Sequence, residues 1–348
     1  MKSHSIFRAL IILAVVSISP FNLYGQTVSK TGTTAAQFLK IPVGARSAAL
    51  GGAVGASVND ASAMVWNPSA IANIEKNTIM VEHSDWFLDL KHNYLGLVMP
   101  MKNRSAVGIN LTALTMDEMT VTTFEDPEGS LGLKFRAYSY SLGVSYARYL
   151  IDKFSIGANV KIVNETIWNS SASAVAFDIG TTYETPFDNI ILGVSITNFG
   201  QKMQINGKDL TTTVDIDPSN SGNNGQINTR LETDEFDLPL MLRVGLAWQP
   251  IKTEQMTATV MLDGTSPNDN TQSVSLGTEV SFLNDKLALR AGLPYVSGRN
   301  NDDRTLQFTA GAGLRHQLNS GLGFDFGYAL NSYTNLGLVN RVSVSITF

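Results

Sequence analysis

From residue 77 onward, apolar and polar residues alternate one by one, the mark of strands whose two faces meet different surroundings. In the last segment Val342, Val344, Ile346 and Phe348 take one phase, and Arg341, Ser343, Ser345 and Thr347 the other. Upstream, Leu322, Phe324, Phe326, Tyr328 and Leu330 alternate with Gly323, Asp325, Gly327 and Ala329. Leu306, Phe308, Ala310, Ala312 and Leu314 alternate with Gln307, Thr309, Gly311, Gly313 and Arg315. The same rhythm recurs over 154–161, 174–184, 240–249, 273–282 and 287–293. The pattern predicts about fourteen strands, each near the ~9–11 residues that a tilted strand needs to cross a bilayer.

A soluble sandwich alternates too, and three features separate the cases. The polar phase is rich in Gly, Ala and Ser with isolated charges of both signs: Lys161, Asp178, Arg243, Glu279, Arg290, Arg315 and Asp325. That composition suits a crowded barrel interior better than bulk water. Aromatic residues expected on the apolar face gather near strand ends (Tyr149, Phe154, Phe187, Trp248, Phe282), as at a membrane boundary. The links alternate in length, short at 100–103, 151–153, 186–188, 250–254, 283–285 and 317–320. Longer ones fall at 115–134, 166–173, 200–238, 265–271, 295–303 and 331–340. Short turns on one side and long loops on the other are the asymmetry of outer-membrane barrels. Three places strain the pattern: Arg148 falls on the apolar phase, 113–124 has room for a short extra strand, and the phase of 92–99 is ambiguous.

The ends add an address. Lys2 and Arg8 flank the start of an apolar run that Pro20 breaks, with Gly25 before an expected cut at Gln26; residues 1–25 read as a removed export signal. The run is too short to span a membrane as a helix. Without Lys2 and Arg8 the chain keeps 23 basic against 30 acidic residues, a net −7 that disfavours nucleic-acid binding. There is no cysteine, which excludes disulfides and thiolate metal sites. The reading is therefore an all-β, transmembrane antiparallel barrel over 77–348. Its expected location is the outer membrane of a Gram-negative-type bacterium, in contact with outer-membrane lipid. Since lipid satisfies no backbone group, such a sheet must close, and a final strand ending at Phe348 resembles the signal read by barrel assembly machinery.

Residues 26–76 do not alternate. A short helix is expected from Asp60, a good N-cap, through Val65, ending before Pro68. A Gly- and Ala-rich stretch of ~50 residues is about the size to fold inside such a barrel as a hatch; a periplasmic arm is the alternative. The run Phe38-Leu39-Lys40-Ile41, Gly44-Ala45-Arg46, Leu50-Gly51-Gly52-Ala53, Asn59-Asp60-Ala61-Ser62-Ala63 and Trp66-Asn67-Pro68-Ser69 resembles the PorV/PorQ family of outer-membrane proteins. That family is itself similar to FadL-type long-chain fatty-acid transporters; Ser69 stands where its pattern has alanine. The resemblance implies a fourteen-strand barrel with an N-terminal hatch, built on Gly44, Arg46, Gly51, Gly52, Asp60, Trp66, Asn67 and Pro68. It further implies an accessory or scaffold role in type IX secretion, with a translocon or surface-attachment complex as partner. The FadL similarity implies instead a passive channel for hydrophobic small molecules.

No catalytic constellation stands out, and neither an enzyme activity nor a cofactor is expected. His83 and His92 lie near Ser84 and Asp85, but neighbours on one strand point to opposite faces, and an interfacial, water-satisfied histidine is the simpler reading. In the polar stretch 200–238, the run Asp217-Pro218-Ser219-Asn220-Ser221 faintly resembles a calcium loop but lacks the closing acid; a solvated external loop is expected. The seven interior charges either pair or line a polar route. Ile41, Val43, Leu50, Met64 and Ile71 are apolar enough to line a pocket or to form a small core.

Overall fold

The structure, a computed structural model, describes residues 30–217, 219, 226–296, 306–318, 321–334 and 336–348. Residues 1–25, with the expected export signal, lie outside the described residues, as do Pro218, Asn220 and Ser221.

Fourteen strands form the wall. They are β1 (Thr78–Asp85), β2 (Lys91–Met101), β3 (Ser105–Thr115), β4 (Ala137–Ile151), β5 (Phe154–Ile167), β6 (Ser170–Glu184) and β7 (Ile190–Gly200). The second half holds β8 (Met241–Lys252), β9 (Met256–Pro267), β10 (Ser273–Phe282), β11 (Leu287–Val296), β12 (Leu306–Gln317), β13 (Gly323–Tyr333) and β14 (Gly337–Thr347). Each pairs antiparallel with its neighbours in sequence, and β14 returns to pair with β1 from Thr78↔Thr347 to Ser84↔Arg341. The sheet is closed, so no wall strand leaves its backbone groups unpaired at an edge.

Period-two alternation becomes an inside and an outside. On β14, Arg341 is 1% exposed while its neighbour Val342 is 50% exposed. Val81, Leu95, Ile109, Val144, Ile162, Ile179, Val194, Leu246, Leu262, Leu276, Leu289 and Phe326 continue an outward apolar band around the ring. Water would not tolerate apolar surface of that extent on a folded chain, whereas acyl chains would. No helix among the described residues is long and apolar enough to cross a membrane; the strands are the spanning elements.

Tight turns crowd one end of the barrel. Asn103 and Arg104, Asp188 and Asn189, and Leu283, Asn284 and Asp285 all take positive φ, a conformation that Asn and Asp tolerate better than most residues. The opposite end carries the long links, notably 116–136 and 201–240. The latter folds into paired segments of its own, Met203–Gln204 with Glu235–Phe236 and Thr211–Val214 with Ile227–Arg230.

Several expectations are corrected. The link expected over 166–173 shrinks to Trp168 and Asn169, and that over 331–340 to 334–336, because both hairpins continue past the apolar band where alternation fades. The extra strand near 113–124 is only Met119–Thr120, paired with Lys134–Phe135 outside the wall. His92, Tyr94 and Val98 are inward on β2. Tyr149 also points inward, its hydroxyl within hydrogen-bonding reach of Glu184 (3.0 Å) and Asn73. Its outer neighbour Arg148 is exposed.

Candidate functional site: the lumen and the segment inside it

The residues before β1 run the length of the lumen, from the long-link end at Thr34 to the short-turn end at Asn77, whose carbonyl accepts from Phe348 N. At the long-link mouth, Ala35 N donates to Asp237 O (2.9 Å). Asp269, in the link between β9 and β10, accepts from Thr34 Oγ1 (2.7 Å), Gln37 Nε2 (2.9 Å) and Lys40 Nζ (2.9 Å). Burial alone would raise the Asp269 carboxyl; the hydrogen bonds from Gln37, Thr34 and Lys40 outweigh it and hold the group below its ordinary value. Glu165 accepts from Ala36 N at 3.0 Å. Ala36, Phe38 and Ile41 pack beneath Met203 and Leu238 of the long link and against Val163, Ala172, Ala174 and Ala176 of β5 and β6.

Deeper in, backbone groups of the segment meet wall carboxylates. Gly44, at φ 91, donates its N–H to Glu82 of β1, and Arg341 of β14 donates to the same carboxylate at 2.6 Å. A short helix follows over Ala45–Ala49. Its Arg46 makes a two-pronged contact to Glu279 (2.8 and 2.9 Å), which also holds Arg290 at 2.6 Å; the fork matches the planar carboxylate. Gly55 N donates to Asp263 of β9 at 2.7 Å.

The Trp-Asn-Pro-Ser run forms a joint. Proline disfavours helix in the residue before it, so the helix Ala63–Trp66 stops and Asn67 is extended (φ −156, ψ 97). Pro68 then opens a second turn, Pro68–Asn73, a position where its missing N–H costs nothing. The Asn67 amide is freed to bridge segment and wall, donating to Gly55 O (2.7 Å) and Thr181 O of β6 (3.1 Å). Trp66 donates to Val43 O (2.7 Å), and the Arg243 guanidinium lies 4.5 Å over its ring. The helix expected to begin at Asp60 begins at Ala63. Asp60 accepts from Ser62 N (2.8 Å) instead, closing a turn that competes with helix.

Inward glycines of the wall decide how closely the segment approaches. A Cβ at Gly180 would stand 2.0 Å from Asn67 Oδ1, one at Gly193 2.1 Å from Gly55 O, and one at Gly292 2.4 Å from Gly51 N. Gly157 is equally tight against Pro68. The segment's backbone thus lies directly on the wall's backbone, a closeness only glycine permits. Leu50, Met64 and Ile71 are fully buried in a core with Val54 and Tyr94.

The seven interior charges resolve into pairs. Lys161 donates to Asp178 (2.8 Å) and Asn198 (2.6 Å), Glu279 joins Arg290, and Arg315 joins Asp325 (2.8 Å). Arg243 faces Asp263 at 3.9 Å. Glu82, Asp263, Asp269 and Arg341 were absent from the sequence-derived site and are central to it. Glu82 meets Arg341, Asp263 meets Gly55 and Asp269 meets Thr34 and Lys40 across more than two hundred residues, so no local signal marks these contacts, although Arg341 stands on the inward phase. His92 is not interfacial. It is fully buried in the lumen, 3.7 Å from Glu82, because its phase on β2 is inward.

Spaces remain above and below the packed middle. Toward the short-turn end are a polar hollow of about 220 Å³, lined by Arg46, Glu279, Arg290, Arg315 and Asp325, and a mixed one of about 400 Å³ that shares Arg46, Arg290, Arg315 and Asp325 and adds Ile74 and Phe324. Toward the long links is a cavity of about 40 Å³ bounded by Leu39, Ile41, Pro42, Val43 and Trp66, with Lys161, Asn198 and Arg243 on its wall side. It abuts a break in register between β6 and β7, where Asp178 and Asn198 (φ 64) interrupt the ladder between Phe177 and Ile179. The other register breaks in the described wall, near Ile151, Ile251 and Leu306, sit near strand ends; this one falls in the middle of β6 and near the end of β7.

Comparison with solved structures shows the same fold. The toluene transporter TodX of Pseudomonas putida aligns over 87% of this chain and 97% of its own, at 13% identity and a TM-score of 0.55. The CymD monoaromatic hydrocarbon channel aligns over 88% and 97%, at 14% identity and a TM-score of 0.56. A FadL homologue of Pseudomonas aeruginosa aligns over 87% and 97%, at 15% identity and a TM-score of 0.52. Among curated proteins none matches. The model of the uncharacterised protein family UPF0164 matches residues 12–347, and the chain belongs to that family.

Proposed function

We propose that this protein is an outer-membrane channel that passes hydrophobic small molecules passively, with residues 26–76 serving as the hatch that keeps the lumen shut between passages. The toluene transporter TodX and the CymD monoaromatic hydrocarbon channel share its fold over nearly their whole length. The observation that carries the reading is the cavity bounded by Leu39, Ile41, Pro42, Val43 and Trp66 against the break in register between β6 and β7. An apolar solute needs such a pocket and a weak place in the wall beside it. At about 40 Å³ the cavity is far below the ~150 Å³ that accommodates benzene. Passage therefore requires it to enlarge, and the described state is the closed one.

The PorV/PorQ resemblance supports a second reading, an accessory scaffold for type IX secretion. A scaffold needs neither pocket nor wall break, and this lumen has both. No chemistry is assigned to the paired interior charges. The test is uptake: vesicles that carry the purified protein in a lipopolysaccharide-containing bilayer, which slows direct partitioning, should take up toluene faster than matched empty vesicles, and Val43→Phe, which narrows the cavity, should slow them. Equal rates in all three would end the channel reading, and recovery of a secretion translocon with the protein from native membranes would favour the scaffold.

A further inference from the structure

The N-terminal segment is fastened in two different ways. Residues 44–74 rest backbone to backbone in notches that wall glycines leave at Gly157, Gly193 and Gly292, and the side chains of Asn67 and Pro68 fill a fourth at Gly180. They are also tied to carboxylates on opposite sides of the barrel, Glu82 and Glu279. Withdrawal would drag peptide groups out of close contact on every side at once. Residues 30–41 are notched against no described wall glycine. They are held by the side chains of Asp269 and Glu165, by a bridge from Thr34 to Asp237, and by apolar contacts. Between the two parts stand Pro42 and Gly44, the latter at a φ of 91 that leaves it free of the usual Cβ limits. Lys30 is exposed at the long-link mouth, so lifting the arm there draws no described residue back through the lumen. Its Leu39, Lys40 and Ile41 form the outer boundary of the small cavity.

We propose that residues 30–41 are a strap latched by Asp269, which swings out through the long-link mouth about Gly44 and opens the cavity to the cell exterior while residues 44–74 stay docked. The outward direction rests on the proposed outer-membrane location and on the expectation that the long link 200–238 is external; the division into a moving arm and a fixed body does not. Lifting the strap removes the outer boundary of the cavity, which supplies the enlargement that an apolar solute requires.

The chain has no cysteine, so single introduced thiols report cleanly. Lys30→Cys, Ala36→Cys and Ser47→Cys are each made in the parent and with Asp269→Asn, and intact cells are treated with a membrane-impermeant maleimide. Lys30→Cys is expected to react promptly. Ala36→Cys should react slowly in the parent and about tenfold faster with Asp269→Asn, since weakened hydrogen bonds to a charged group are worth that much. Ser47→Cys, a near-isosteric change at a fully buried site in the body, should stay protected in both and so report that the body remains folded. An Ala36→Cys rate untouched by Asp269→Asn overturns the latch. Ser47→Cys reacting in step with Ala36→Cys overturns the division into strap and body. Lys30→Cys that reacts only after the cells are broken overturns the outward direction, and the membrane orientation with it.

Discussion

Leucine in place of Gly193 is expected to turn an electrically silent barrel into a conducting one. Gly193 points inward from β7, and even a single added carbon would lie 2.1 Å from Gly55 O and 2.7 Å from Ala56 Cα. Overpacking costs ~1–3 kcal/mol where side chains can shift aside. Here both partners are backbone, held by the bonds from Gly55 N to Asp263 and from Asn67 to Gly55 O, so the cost falls at the upper end of that range or above. The strain is relieved most readily by displacing residues 54–57, which opens the middle of the lumen. Gly264 serves as the control. A Cβ there meets nothing closer than Val244 O at 3.9 Å, so Gly264→Ala should leave both conductance and stability unchanged. Single-channel recording of the two variants separates them; equal silence would mean that the glycine notches do not position the segment.

Glu82→Gln is expected to give the largest loss of stability among single polar substitutions. The Glu82 carboxylate accepts from Arg341 at 2.6 Å and from Gly44 N, and both side chains of the pair are at most 1% exposed. Removing one member of a buried pair leaves an uncompensated charge and costs ~3–5 kcal/mol. The location magnifies the consequence. Glu82 lies on β1 and Arg341 on β14, the two strands that close the ring, so the lost interaction tethers the seam as well as the N-terminal segment. Neutralising both sides, with Glu82→Gln and Arg341→Gln together, should recover more than half of the loss, because the stranded cation is gone and only neutral hydrogen-bonding groups remain. Thermal unfolding in detergent reads all three proteins. A double variant no more stable than Glu82→Gln alone would show that the pair acts through packing rather than charge.

The wall was legible because a period of two reports directly which residues share a face, and alternating link lengths report which ends share a side. Closure followed from the absence of any way to satisfy an edge in lipid. Part of the interior was legible in the same terms. Glu279 and Arg290, and likewise Arg315 and Asp325, are direct cross-strand partners, so hairpin register alone brings each pair together. Other features were hidden for identifiable reasons. Glu82 and Arg341 are separated by 259 residues and meet only because the ring closes. Asp269 sits in a short polar link that looks like any solvated turn until Thr34, Gln37 and Lys40 arrive from the far end of the chain. Tyr149 looked like a girdle residue because it is aromatic and near a strand end, yet its phase turns it inward to Glu184. Inward glycines read as small lumen residues; their use as backbone notches appears only with the segment in place.

An apolar-walled barrel whose lumen is filled by its own N-terminal segment should not conduct, and a planar bilayer tests this directly. Unmodified protein inserted at low protein-to-lipid ratio should give no stable ionic current across a wide voltage range, although Gly193→Leu does. A steady, ohmic, porin-sized conductance from the unmodified protein would contradict the closed lumen and with it the proposed route for apolar solutes.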